Sequence, residues 1–133
     1  MTTRYDPNTF KGLTFHDATP QFASGKDTPR DYLERCLDTI AAREPVVKAF
    51  VVLNEKNARA AADASTARWK AGTPLSAMDG MPIAIKDLLE TKDMPTDFGC
   101  AAYNRNETHR DNAAVWALRE AGAVILEIGR AHV

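Results

Sequence analysis

The apolar positions of this chain change their spacing several times, and each change predicts an element. From Thr28 onward, Leu33, Cys36, Leu37, Ile40 and Ala41 recur three and four apart, which draws one stripe along a helix. Thr28 suits the N-cap, Pro29 the first helical position, and Asp31 completes a capping box. Glu44-Pro45 is predicted to close this helix, because the residue before a proline is pushed out of the helical region. A shorter helix is predicted ahead of it, capped by Thr14 with Asp17 in support and ended by Ser24-Gly25-Lys26-Asp27. Residues 46–53 are rich in valine and phenylalanine and predict a strand or extended segment. Asn54 then caps an alanine-rich helix to about Lys70, with Gly72 beyond its end. Ala58, Ala61, Ala62, Ser65 and Trp69 fall along one side of it.

Residues 71–79 hold Gly72, Thr73, Pro74 and Ser76 and predict a loop. Met81 to Ile85 carries no charge, includes two isoleucines, and is bounded by Gly80 and by Lys86-Asp87. Such a continuous apolar run predicts a strand buried on both faces. Residues 87–110 show weak periodicity and predict a long irregular connection, a kind that often carries function. Asp111 or Asn112 then caps a helix whose Val115, Trp116 and Leu118 are predicted to face the core, and Ala121-Gly122 stops it. Ala123 to Leu126 predicts a second buried strand. Strand, connection, helix and strand form a crossover, which normally joins parallel strands, so the fold class is α/β.

The bulk properties narrow the function classes. A length of 133 residues suits one domain, and 44% apolar with 26% charged residues is ordinary for a globular protein. A formal net charge of −1 supplies no long-range field for nucleic acid or an anionic membrane. No apolar run is long enough to span a bilayer, and Met1 to Asp6 lacks the apolar centre of a signal peptide. Cys36 and Cys100 are far apart and fit no metal spacing, so a reducing, cytoplasmic setting is expected. Residues 1–13 are expected to be a mobile lead-in.

Lys86 is the main candidate for chemistry. A lysine ending an apolar strand must either reach solvent or lose hydration, and in the second case its amine becomes available as a neutral base. On the residues alone, both a snorkelling structural lysine and a catalytic one stay open. Asp87 either orients Lys86 or caps the following turn. His16 and His109 have no partner at ligand or triad spacing and are expected to be solvated. Ser24, Ser65 and Ser76 are expected in cap, helix-surface or turn roles. Cys100 lacks a nearby base in sequence and is not expected to be a nucleophile.

Three ordered blocks carry a family resemblance. Gly80-Met81-Pro82-Ile83-Ala84-Ile85-Lys86-Asp87 resembles the first signature block of the amidase signature family, in which the lysine is catalytic. Met94-Pro95-Thr96-Asp97-Phe98-Gly99-Cys100 resembles the family's L-P-T-T-x-G-S turn, with cysteine where serine is usual. Asp111 to Leu126 resembles its D-A-x-V-V-x-x-L-R-x-A-G-A-V-I-L helix and strand. The likeness covers residues 14–126. It implies the amino-terminal part of an amidase domain: helices leading into the first strands of a mixed, helix-flanked sheet.

The resemblance also implies a reaction. A serine, a second serine in a cis peptide, and a lysine hydrolyse the C–N bond of a carboxamide, with no metal or cofactor. Only the lysine carries over, as Lys86; neither serine is in these 133 residues. The expected partner is a small amide substrate, with no membrane and no direct nucleic-acid contact. Two alternatives stand beside it: the amidase subunit of a glutamine-dependent aminoacyl-tRNA amidotransferase, and a small α/β interaction module in which Lys86 is structural. After Leu126 the family continues with a G-K-T-N-like loop, whereas this chain reads Glu127-Ile128-Gly129-Arg130-Ala131-His132-Val133. Ile128 to Val133 is also the translation of ATC GGA AGA GCA CAC GTC, a stretch of a common sequencing adapter. Residues 127–133 are therefore expected to be a non-native tail, with Arg130 and His132 carrying no function. A piece with unpaired strand edges is further expected to be poorly soluble or loosely packed when expressed alone.

Overall fold

The computed structural model describes residues 14–130. Its elements run α1 (Phe15–Ala23), α2 (Pro29–Val47), β1 (Phe50–Leu53), α3 (Glu55–Lys70), β2 (Pro82–Lys86), α4 (Ala113–Glu120) and β3 (Val124–Gly129), with a 3₁₀ turn at Ala101–Tyr103 between β2 and α4. The expected lead-in, residues 1–13, lies outside the described residues, as do Ala131, His132 and Val133.

The helix starts follow local chemistry. The Thr14 N–H and hydroxyl both donate to the Asp17 carboxylate, at 3.3 and 2.9 Å. Thr28 Oγ1 accepts the Asp31 N–H at 3.1 Å, and its hydroxyl donates to Asp31 Oδ2 at 2.8 Å. At α4 the cap is Asn112, whose side chain accepts the Ala114 N–H.

Three strands form one sheet in the order β1-β3-β2. The central β3 is antiparallel to β1 and parallel to β2, so the predicted crossover joins parallel strands. Its faces sort the core into two clusters. Val124 and Leu126 pack with Leu33 and Leu37 of α2 and with Ala58 and Ala62 of α3. Ile125 and Ile128 pack with Ile85, Val115 and Met94 on the other side. Alternation is broken between Leu126 and Ile128 because the register with β2 slips: Ile83 lies opposite Ile125, but Ala84 lies opposite Glu127. One extra residue in β3 kinks the strand there. The small alanines of α3 let that helix approach the sheet closely.

Four expectations needed correction. First, α2 does not close at Glu44-Pro45; it continues to Val47 and ends on Lys48, which adopts the left-handed conformation (φ 53°) and donates its N–H to the Glu44 carbonyl. The strand expected from 46 accordingly begins only at Phe50. A proline removes one helical N–H donor; the last turn, in which Val46 and Val47 are exposed, is closed instead by Glu44, which accepts the Lys48 N–H at its carbonyl and the Phe50 N–H at its carboxylate. Second, β2 is not buried on both faces. It is an edge strand on which Ile85 is buried while Ala84 and Lys86 are exposed. Its first residue is Pro82, which suits an edge. Third, Trp116 is 58% exposed. In this short α4, Val115 and Leu118 occupy the face toward the sheet, and Trp116 sits about 100° around the helix from Val115. Fourth, Ser65 is fully buried between α3 and the loop before β2, not on the helix surface.

Candidate active site

The turn into β2 is set by two close approaches. Gly80 has φ +91°, and a Cβ there would lie 2.7 Å from both the Pro29 Cβ and the Ser65 hydroxyl oxygen. Gly122, which ends α4, has φ +90°, and a Cβ would lie 2.6 Å from an Asp79 carboxylate oxygen. The two glycines meet directly: the Gly80 N–H donates to the Gly122 carbonyl at 2.9 Å. Beside them Asp79 is fully buried and receives Arg68 through Nε and one terminal nitrogen at 2.7 and 2.6 Å, together with the Leu75 N–H at 2.8 Å. Burial pushes the Asp79 carboxyl up, but these donors outweigh it and hold it below the ordinary carboxylate range. Trp69 donates its indole N–H to the Asp79 carbonyl at 2.9 Å, so it serves the core and this turn. The Arg68–Asp79 pair was not foreseen, because eleven residues of loop and helix end separate its members and no periodicity links them.

From that turn β2 runs to Lys86. The Lys86 side chain is exposed and has no hydrogen-bond or ion-pair partner among the described residues. It lines a shallow apolar recess of about 310 Å³ together with Phe50, Ala84, Ile85, Glu127 and Arg130. The desolvation expected of a strand-end lysine is therefore not supplied by residues 14–130.

Asp87, by contrast, is 2% exposed and turns inward. Its carboxylate accepts the Asp97 N–H at 2.8 Å and the Gly99 N–H at 3.3 Å. Neither expected role is seen: the Asp87 carboxylate does not contact the Lys86 amine or cap the turn that follows it, but holds a turn ten to twelve residues further on. Asp97 extends the arrangement by accepting the Arg105 N–H at 2.7 Å. The turn so held contains Phe98, in a left-handed conformation (φ 54°), followed by Gly99 and Cys100. Phe98 packs edge-on against Tyr103, with ring centroids 5.4 Å apart. Asp97, Gly99, Cys100, Ala101, Asn104 and Arg130 line a cleft of about 320 Å³. Arg130 borders both this cleft and the recess that holds Lys86, so the two adjoin.

The other sequence candidates do not join this site. His16 is exposed, and the exposed His109 lies 3.8 Å from Glu107. Ser24 donates to the Gln21 carbonyl at a helix end, and Ser76 donates to the Ala121 carbonyl at 2.6 Å within a turn. Cys36 is half-buried, and burial pushes its thiol up. Cys36 and Cys100 are both free thiols. Among the described residues no group of three or more acidic, histidine or cysteine side chains could hold a metal.

Glu127 figured only as the first residue of the expected non-native tail. It lies in β3, which runs across the boundary expected for a non-native tail. Only 2% of it is exposed, and its Oε2 has no hydrogen-bond partner. Burial, with a smaller contribution from Glu44, raises its carboxyl to about 7.

The four helices and three-stranded mixed sheet match the α/β fold of amidase signature structures. The amidase family profile matches residues 31–131, and the chain belongs to that family. Among curated relatives, it is 34% identical over 110 residues to a glutamyl-tRNA(Gln) amidotransferase subunit from Myxococcus xanthus, covering 83% of this chain and 23% of the relative. It is 41% identical over 87 residues to the protein of the same name from Chloroflexus aggregans, covering 65% of this chain and 18% of the relative. Among solved structures, an inhibitor-bound vestigial complex bearing on the origins of an s-triazine catabolic enzyme superposes with a TM-score of 0.84 at 30% identity, over 90% of this chain and 26% of that one. The peptide amidase of Stenotrophomonas maltophilia superposes with a TM-score of 0.83 at 25% identity, over 92% and 26%. The chain thus spans about a quarter of the length of the proteins it resembles.

Proposed function

We infer that residues 14–126 are the amino-terminal part of an amidase that cleaves the C–N bond of a carboxamide, with Lys86 as the base of a serine, cis-serine and lysine triad. The observation that carries this reading is the position of Lys86. It ends the strand entered through Gly80, in the one signature block that brings a lysine to an adjoining recess and cleft. In this mechanism the lysine amine accepts a proton relayed through the cis serine from the nucleophilic serine. The nucleophile attacks the amide carbonyl, the amine product leaves, and water releases the acyl group. Both serines belong to sequence beyond these 133 residues, so this polypeptide by itself has no hydrolase activity. In the complete enzyme, further chain covers the exposed face of β2 and dries the lysine, as a neutral amine base requires. The two free thiols accord with a cytoplasmic setting. No helix among the described residues is long and apolar enough to cross a membrane.

The test is the complete reading frame, expressed and assayed on a panel of simple amides with and without Lys86→Ala. The variant is expected to lose activity by several orders of magnitude, as loss of a base in a concerted triad does. Retention of most of the activity removes Lys86 from the mechanism.

A second reading is favoured by the curated relatives, which are named as subunits of an amidotransferase acting on glutamyl-tRNA(Gln). In that case the same amide cleavage serves a multi-subunit enzyme, and RNA contact belongs to a partner. Amide hydrolysis that appears only when partner chains are added distinguishes this reading from a self-sufficient amidase.

A further inference from the structure

Asp87 is only 2% exposed beside the candidate base, and the hydrogen bonds of its carboxylate all lead to one loop. The Asp97 N–H meets its Oδ1 and the Gly99 N–H meets its Oδ2. The Phe98 N–H, between them, has no acceptor among the described residues. An ionised carboxylate can accept at both oxygens, whereas an asparagine would present an NH2 group to one of the two N–H donors. The Asp87 N–H is also committed, to the Gly129 carbonyl at 2.8 Å, so the backbone from which this side chain reaches out is part of the sheet. The loop is held from its far side as well, by the Arg105 N–H on Asp97 and by the Thr96 N–H on the Asn106 carbonyl at 3.0 Å. Phe98 and Gly99 keep left-handed conformations (φ 54° and 66°) within this frame. A bulky residue adopts that region only where its surroundings impose it. Arg130 approaches both carboxylates, but at 3.5 and 3.8 Å, which is looser than the backbone donors.

We propose that Asp87 is a positioning residue: from the end of β2 it fixes the Asp97–Cys100 backbone as a wall of the site one residue away from Lys86. This rests on the amidase reading above. The carboxylate does not touch substrate; it transmits the rigidity of β2 and β3 to the cleft that Gly99 and Cys100 line. An amide substrate bound over Lys86 would then meet a wall of set distance, which is what a near-attack geometry needs.

Two experiments test it. In the complete enzyme, amide hydrogen exchange is followed residue by residue. In the unsubstituted protein, Asp97 and Gly99 exchange about 10-fold or more slowly relative to Phe98. Asp87→Asn speeds exchange at one of the two protected amides, Asp97 or Gly99, to the Phe98 rate while Val124 and Ile125 keep theirs, and Arg130→Ala leaves the alternation intact. Equal exchange at residues 97–99 of the unsubstituted chain overturns the proposal, even if the Asn variant fails to fold. A uniform acceleration that includes β3 also overturns it, because Asp87 would then support the whole fold. In the complete enzyme, Asp87→Asn lowers kcat by about 10-fold or more with little change in KM. Full kcat in that variant, alongside an inactive Lys86→Ala enzyme, sinks the positioning role alone. Full activity in both sinks the amidase reading beneath it.

Discussion

Glu127 offers a sharp test of how this sheet is built. Its carboxyl is 2% exposed and its Oε2 has no partner. Burial first, and the Glu44 charge second, raise it from an ordinary 4.5 to about 7. The folded state therefore holds this proton more tightly than the unfolded chain. With a raised folded value, the contribution to stability is fully present below about pH 4.5 and is lost as pH rises toward 7. The slope between those limits is about 1.4 kcal/mol per pH unit, so the loss approaches about 3 kcal/mol as a ceiling. Glu127→Gln removes the titration and keeps the shape. Urea unfolding, followed by tryptophan fluorescence from pH 4 to 8, should show the variant matching the parent in acid and exceeding it by up to about 3 kcal/mol at pH 8. Other titrating groups cancel in the difference. Glu44→Gln retains an acceptor for the Phe50 N–H, which meets Glu44 Oε1 at 2.7 Å, and should recover a minor share of the loss. A parent protein with the same midpoint at pH 5 and pH 8, or a Gln variant with an unchanged pH slope, would show that water or a counter-charge reaches this carboxylate.

Other outcomes follow from the same contacts. Asp79 has a depressed carboxyl, so its contribution is present above the ordinary carboxylate range and disappears as pH falls through the folded value. Together with Glu127 it should place the stability maximum in mild acid, near about pH 4–5, which a pH series of unfolding midpoints checks. Gly122→Ala forces a methyl against the Asp79 carboxylate at a φ of +90° and should destabilise by about 2 kcal/mol or more, read as a lowered urea midpoint. Leu33→Ala empties a fully buried position between α2, α3 and β3 and should cost about 2–5 kcal/mol in the same assay. Thr28→Ala removes the cap that accepts the Asp31 N–H and should cost about 1 kcal/mol, seen as earlier exchange in the first turn of α2.

Which elements form was written in local chemistry. The caps at Thr14, Thr28 and Asn112, the alanine face of α3, and the crossover from β2 through α4 to β3 all follow from neighbouring residues. The candidate base was different: on the residues alone a structural Lys86 stayed open, and only the resemblance of the Gly80–Asp87 block implied a catalytic one. Where local rules failed, distant contacts had overridden them. The Glu44 carboxylate, holding the Phe50 N–H, closed α2 beyond Pro45, and the extra β3 residue at Leu126 set Glu127 opposite Ala84 in the buried strand. The burial of Ser65, the exposure of Lys86 and the reach of Asp87 to Asp97 and Gly99 were likewise beyond sequence pattern. Capping and periodicity act over three or four residues, so a linear reading captures them. Burial and carboxylate partnerships depend on which surfaces meet across ten or more residues, and only the packed sheet determines that.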